Sequence, residues 1–219
     1  MEHILLHSRR RRSYLSYPVS HVPGPLLING RPAESKPSAA VAILHASAPE
    51  ASILLMRRAH RPGDPWSGHW SFPGGRHEQS DADLLATALR ELREECGIAL
   101  EREHLTERLE DDWAGRVAGN PVMVAPFVFK LPEQVSTILD HSEAAEAVWM
   151  PMSTLLDLSL HAVRVIPGVP PERRFPAFDL RGTPVWGFTY RVLCQWAGVP
   201  VAPEGLIIKE SLGSSASQL

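Results

Sequence analysis

The chain has 219 residues, 44% hydrophobic and 21% charged, the makeup of one ordinary globular domain with short extensions, which excludes collagen, coiled coil and wholesale disorder. Twenty-two Lys and Arg against 25 Asp and Glu give a net charge of -3, so nothing global attracts phosphate backbones or anionic membranes, and nucleic acid is not the expected partner. The two cysteines, Cys96 and Cys194, cannot build a disulfide framework and fit a reducing, cytoplasmic setting, and no apolar run nears the roughly 18 residues of a membrane span.

Residues 9–12 are four consecutive arginines preceded by a short apolar stretch, the reverse of a secretory signal. They read as a solvated arm, with a phosphate-binding patch as the alternative. Five prolines between residues 17 and 37 extend that arm, so 1–37 is expected to lie outside a domain spanning 38–200, with a polar tail over 201–219. Short apolar runs at 39–46 and 52–56 predict paired strands. The strongest helix signal covers 81–96: Leu85, Ala88, Leu89, Leu92 and Cys96 recur at steps of three and four, and Gly97 is the expected stop. Further strands are expected over 122–131 and 147–152, and a second helix over 185–197. That order of elements predicts an α/β layered domain.

The chemistry concentrates in that first helix. At 100° per residue, Glu91, Glu94 and Glu95 share one arc away from the apolar stripe. Like charges at these spacings repel by roughly 0.2–0.5 kcal/mol per pair, and a divalent cation reverses the sign. Oxygen ligands at short spacing suit Mg²⁺ or Mn²⁺, and the lack of a Cys or His cluster argues against zinc. Arg90, one turn before Glu94, can hold that carboxylate in place. A solvated acidic face would show the same three residues.

The full pattern is more specific. Arg90-Glu91-Leu92-Arg93-Glu94-Glu95-Cys96-Gly97-Ile98, with Gly75 upstream, resembles the box of the Nudix hydrolase family. Gly75, five residues, Asp81, eight residues, Arg90 is one residue longer than the general box, carries Asp where that has Glu, and looks like the coenzyme A pyrophosphatase branch. Ser71-Phe72-Pro73-Gly74-Gly75 and Val185-Trp186-Gly187-Phe188-Thr189-Tyr190-Arg191 are similar to that branch too. The branch's signature upstream of the box is only partly present: Leu54, Leu55, Arg58, Gly68 and Phe72 can be placed, Arg58 to Gly68 is one residue too long, Ala59 replaces a serine, and Arg61 is the nearest inner arginine.

The resemblance implies a Nudix-type α/β/α sandwich with a mixed sheet and a catalytic loop-helix-loop. It also implies Mg²⁺-dependent cleavage of a P–O–P bond in a nucleoside diphosphate linked to another moiety, coenzyme A or an acyl derivative first. The implied metal ligands are Glu91, Glu94, Glu95 and a carbonyl of Gly74 or Gly75, with Glu91, Glu95 and Arg90 at the catalytic centre. The general base stays open among Glu91, Glu95, Glu143 and Glu146. Arg57, Arg58, Arg61 and Arg76 are candidates to grip substrate phosphates, and Trp66 to stack on a base. Trp70, Trp149 and Trp186 read as core, and His60, His69 and His77 as solvated loop residues. The expected partner is a small-molecule nucleotide; a homodimer is left open. Alternatives are hydrolysis of ADP-ribose, NADH or a related compound, and a non-catalytic nucleotide-binding module.

Overall fold

The computed structural model describes residues 36–201 and the short strands at 27–28 and 31–32; the arginine run at 9–12 and residues 202–219 of the tail lie outside the described residues. The chain divides into two units, Met1–Ser35 and Lys36–Leu219. In the first, β1 (Leu27–Ile28) and β2 (Arg31–Pro32) pair antiparallel.

The second unit is built on a mixed sheet. Its central strand β3 (Ala39–Ala48) meets β4 (Ser52–Arg58) antiparallel on one side. Two short strands follow, β5 (Trp70–Ser71) against β4 and β6 (Gly74–Arg76) against β3. Helix α1 (Leu84–Cys96) comes next, then β7 (Leu105–Arg108), β8 (Asp112–Ala114) and β9 (Val122–Glu133). β9 runs parallel to β3 and carries β7 and β8 antiparallel on its outer edge. Pro126, which has no N–H to donate, sits where that edge passes from β8 to β7, and its carbonyl still accepts from Leu109 N–H at 3.0 Å. β10 (Ala144–Pro151) closes the other edge against β4. Helix α2 (Met152–Leu156), β11 (Ala162–Val165), β12 (Arg174–Leu180), β13 (Thr183–Trp186) and helix α3 (Gly187–Ala197) complete the unit, the three strands forming a second antiparallel sheet.

Strand periodicity decides the layers. Ala40, Ala42 and Leu44 of β3, Leu54 and Met56 of β4, and Phe127, Phe129 and Leu131 of β9 pack with Leu85, Ala88, Leu92 and Cys96 of α1. The alternate positions Ile43, Ile53, Leu55 and Val128 pack on the opposite face with Tyr190, Val192, Leu193 and Cys194 of α3 and with Phe178 and Leu180 of the second sheet. A sheet buried on both faces between helices is an α/β sandwich, as expected. Leu92 is fully buried, so truncating it to Ala costs about 2–5 kcal/mol.

Two boundaries differ from the sequence expectation. α1 begins at Leu84, with the Asp83 side chain capping Ala86 N–H, because Asp81 is drawn into side-chain bonds of its own. Residues 183–186 are a strand of the second sheet, and the helix starts only at Gly187.

Candidate active site

β6 leads directly into the loop before α1, and the two elements bring the box together. Glu95 is 3% exposed, and its Oε2 accepts from Gly74 N–H at 2.8 Å. A Cβ at Gly75 would meet the Glu91 carboxylate, so a side chain there would push that carboxylate aside from the place Arg90 gives it. Arg90 Nη1 donates to Glu91 Oε1 and to Glu94 Oε2, each at 3.0 Å. Its Nη2 also donates to the Arg76 carbonyl at 3.1 Å, tying the helix to the strand.

Asp81 completes this set; the sequence reading placed it in the box by its spacing from Gly75 and Arg90 but gave it no partner. Its carboxylate accepts from Arg90 Nε at 2.9 Å and Nη2 at 3.1 Å, from Thr87 Oγ1 at 2.8 Å and from Glu78 N–H at 3.0 Å. The Arg90 guanidinium holds this carboxyl well below the usual carboxylate range.

Glu91, Glu94, Glu95, Glu78, Asp140 and Glu143 line one cavity of about 440 Å³ with Gly74, Gly75, Arg58 and Arg90. Burial pushes the Glu95 carboxyl up to about 8, against the Gly74 hydrogen bond, and raises that of Glu91 against Arg90. Of the two outer base candidates, only Glu143 reaches this cavity. Glu146 faces Arg57 at 3.0 Å and Arg181 at 3.6 Å instead. Asp140, which sequence reasoning missed, enters through its place beside Glu95: its N–H bonds the Glu95 carbonyl at 3.2 Å.

Among the described residues no three Asp, Glu, His or Cys side chains already converge on one point as a finished metal cage. The donor set nonetheless suits a hard divalent ion: several carboxylates, two of them desolvated, share one cavity with a glycine loop and only two arginines.

A second cavity, about 490 Å³, is its electrostatic opposite. Arg58, Arg76, Arg116 and Arg191 line it with Trp66, Trp70, Trp113, Trp186 and Phe188, and no Asp or Glu does. Arg58 belongs to both cavities, and a smaller one lined by Gly74, Gly75, Arg76 and Phe188 bridges them.

The other sequence candidates can now be placed. Trp66 is half-buried in the aromatic wall, its ring 5.9 Å from that of Trp186. Arg58 is bound to Asp64 at 2.9 Å. Arg61 lines neither large cavity and is spent on Glu143 and the Ser142 carbonyl, both at 2.5 Å. Trp70 and Trp186 are buried, and half-buried Trp149 donates to the Val135 carbonyl at 3.0 Å. His69 departs from its expectation as a solvated residue. It is 9% exposed between Trp66 and Trp186, because residues 66–69 fold onto β12 and β13, and burial lowers its pKa. His77 bonds Thr87 Oγ1 at 3.0 Å.

Comparison with known proteins agrees with this geometry. The NUDIX domain model matches residues 36–169. The chain belongs to the NUDIX domain family. This NUDIX chain is 32% identical over 158 residues to the Nudix hydrolase NudL of Yersinia pestis, covering 72% of this chain and 68% of that protein. NudL of Photorhabdus laumondii is 28% identical over 149 residues, 68% of this chain and 77% of its own length. An uncharacterised protein of Schizosaccharomyces pombe is 38% identical over 111 residues, 48% of this chain, but the chain spans only 33% of its length. A NUDIX hydrolase structure from Alicyclobacillus acidocaldarius superposes with a TM-score of 0.51 at 18% identity, over 78% of this chain and 95% of that one, and supports the fold. Among the described residues no helix is long and apolar enough to cross a membrane.

Proposed function

We propose that this NUDIX chain is a divalent-cation-dependent pyrophosphohydrolase that cleaves the P–O–P bond of a nucleoside diphosphate linked to another moiety. Coenzyme A or an acyl-coenzyme A is the leading substrate, giving 3′,5′-ADP and 4′-phosphopantetheine. The observation that carries this reading is the pairing of the two cavities: six carboxylate residues line one, four arginines and an aromatic wall line the other, and Arg58 is common to both. A nucleotide joined through a diphosphate has the matching layout, with a flat base at one end and a charged linkage in the middle.

Glu91, Glu94 and Glu95, with a carbonyl of Gly74 or Gly75, would hold Mg²⁺ or Mn²⁺. When bound, the ion neutralises the phosphates and lowers the pKa of water. The rest is the work of the chain itself. Asp81 fixes Arg90, and Arg90 fixes Glu91 and Glu94. Gly74 N–H holds Glu95 from the strand side. Glu143 is the favoured general base outside the box, since it lines the acidic cavity with one flank held by Arg61. Arg58 lines both large cavities, where the oxygens of the diphosphate would pass. Trp66, Trp113, Trp186 and Phe188 would enclose the base.

The boundaries of 1–37 as an arm, 38–200 as the hydrolase domain and 201–219 as a tail belong to the same proposal. So does a cytoplasmic setting, with which the two free, buried cysteines Cys96 and Cys194 are compatible. The experiment is product analysis with Mg²⁺ across coenzyme A, ADP-ribose, NADH, diadenosine polyphosphates and nucleoside triphosphates. Fastest turnover of coenzyme A supports the substrate assignment; faster turnover of ADP-ribose or NADH replaces it, and no turnover of any member contradicts the enzyme.

A further inference from the structure

The four arginines of the aromatic cavity are not equivalent. Arg58 is neutralised by Asp64 at 2.9 Å, and Arg191 by Asp112 at 2.8 Å, with the Trp113 carbonyl also accepting from Arg191 at 2.7 Å. Arg76 and Arg116 have no acidic partner among the described residues, and both are exposed. Arg116 opens a single turn of 3-10 helix, Arg116–Ala118, with its guanidinium carbon 5.9 Å from the Trp113 ring centroid. The preceding Gly115 has φ 76° and is pressed against the Asn120 carbonyl, so the loop presenting Arg116 has a backbone that side-chain-bearing residues rarely adopt. Arg76 ends β6 and lines both the aromatic cavity and the smaller cavity that leads to the carboxylates.

Two guanidinium groups without counter-ions, beside an aromatic wall and with no carboxylate in the cavity, contribute little to folding. They suit a phosphate, whose oxygens match the planar donor fork and reward it with charge-assisted bonds. The cleaved diphosphate would lie at the carboxylate end, so a cation at Arg116 serves some other anionic group.

We propose that Arg116 and Arg76 form a subsite for a phosphate monoester on the nucleoside half of the substrate, outside the cleaved linkage. The enzyme then selects a ribose-phosphorylated compound over the same compound without that phosphate. This rests on the hydrolase reading above and gives no part in the selection to Arg58 and Arg61, whose charges are already matched by Asp64 and Glu143.

The test compares two ligand pairs that differ only in the ribose phosphate. Binding of 3′,5′-ADP and of 5′-AMP is followed by quenching of tryptophan fluorescence, and kcat/KM is measured for coenzyme A and dephospho-coenzyme A. The proteins are wild type, R116A, R76A, the double variant and R173A, whose arginine lies over Phe175 and lines neither large cavity. The wild type should favour the phosphorylated member of each pair by about ten- to a hundredfold, the scale of one or two charge-assisted bonds. R116A and R76A should each cut that ratio at least roughly fivefold, the double variant should bring it near unity, and R173A should leave it in place. Equal wild-type binding of 3′,5′-ADP and AMP, or a ratio untouched in the double variant, overturns the subsite. Discrimination in binding with no hydrolysis of either coenzyme would sustain the subsite and strike the hydrolase proposal; equal hydrolysis of both would strike the subsite alone.

Discussion

The Asp81 carboxylate and the Arg90 guanidinium meet side-on, Nε at 2.9 Å from Oδ1 and Nη2 at 3.1 Å from Oδ2, while the remaining nitrogen of Arg90 reaches Glu91 and Glu94. Asp81 thus sets the position of two proposed metal ligands that it never touches. Its own side chain is 4% exposed, so the pair is sheltered from solvent.

Replacing Asp81 by Asn keeps the shape but removes the charge that anchors Arg90. The expected result is a fall in kcat of about ten- to a hundredfold and a higher Mg²⁺ concentration for half-maximal rate, with far-UV circular dichroism retained. A normal Mg²⁺ titration in D81N would show that Arg90 is held well enough without it.

Stacking in the aromatic cavity predicts a different signature. Trp66→Ala removes one wall of the proposed base site, so KM should rise about tenfold while kcat changes little. A loss confined to kcat would place Trp66 outside the base site.

His69 supplies a pH dependence. Burial lowers its pKa, as do Arg58 and His60 nearby, while its contact with the Pro167 carbonyl and the Asp64 charge oppose them. The folded protein therefore binds fewer protons at this ring than the unfolded chain. The stability from His69 is complete above the unfolded pKa of about 6.5 and is lost as pH falls through that value toward the folded one. Urea midpoints at pH 7.5 and 5.5 should drop more in wild type than in H69Q; an equal drop in both would refute this account of the ring.

How much of this was legible in the sequence depends on how local the cause was. The α1 stripe of Leu85, Ala88, Leu92 and Cys96 follows from helix periodicity, and the same 100° spacing puts Glu91, Glu94 and Glu95 together. The start of α1 was misplaced because Asp81 obeys Arg90, nine residues on, rather than its neighbours. The burial of His69 depends on Trp186, which comes from a distant strand. Trp113 and Arg116 gave no periodic signal, since they sit on a short strand and a single turn, and only the fold brings them into the cavity that Trp66 also lines. The split between carboxylate and arginine cavities is likewise a product of topology, because Glu143 and Arg116 enter from opposite edges of the main sheet.

On the proposed function, the box carboxylates Glu91, Glu94 and Glu95 hold the cation that makes P–O–P cleavage possible. The most direct measurement is the rate of 3′,5′-ADP formation from coenzyme A with saturating Mg²⁺ in wild type, E94Q and E95Q, since glutamine keeps each side chain's shape and removes its charge. A loss of at least ~10²-fold is expected in both variants with the fold intact, and a chelator should abolish wild-type turnover. Near-normal turnover in both glutamine variants would contradict that role of the carboxylates.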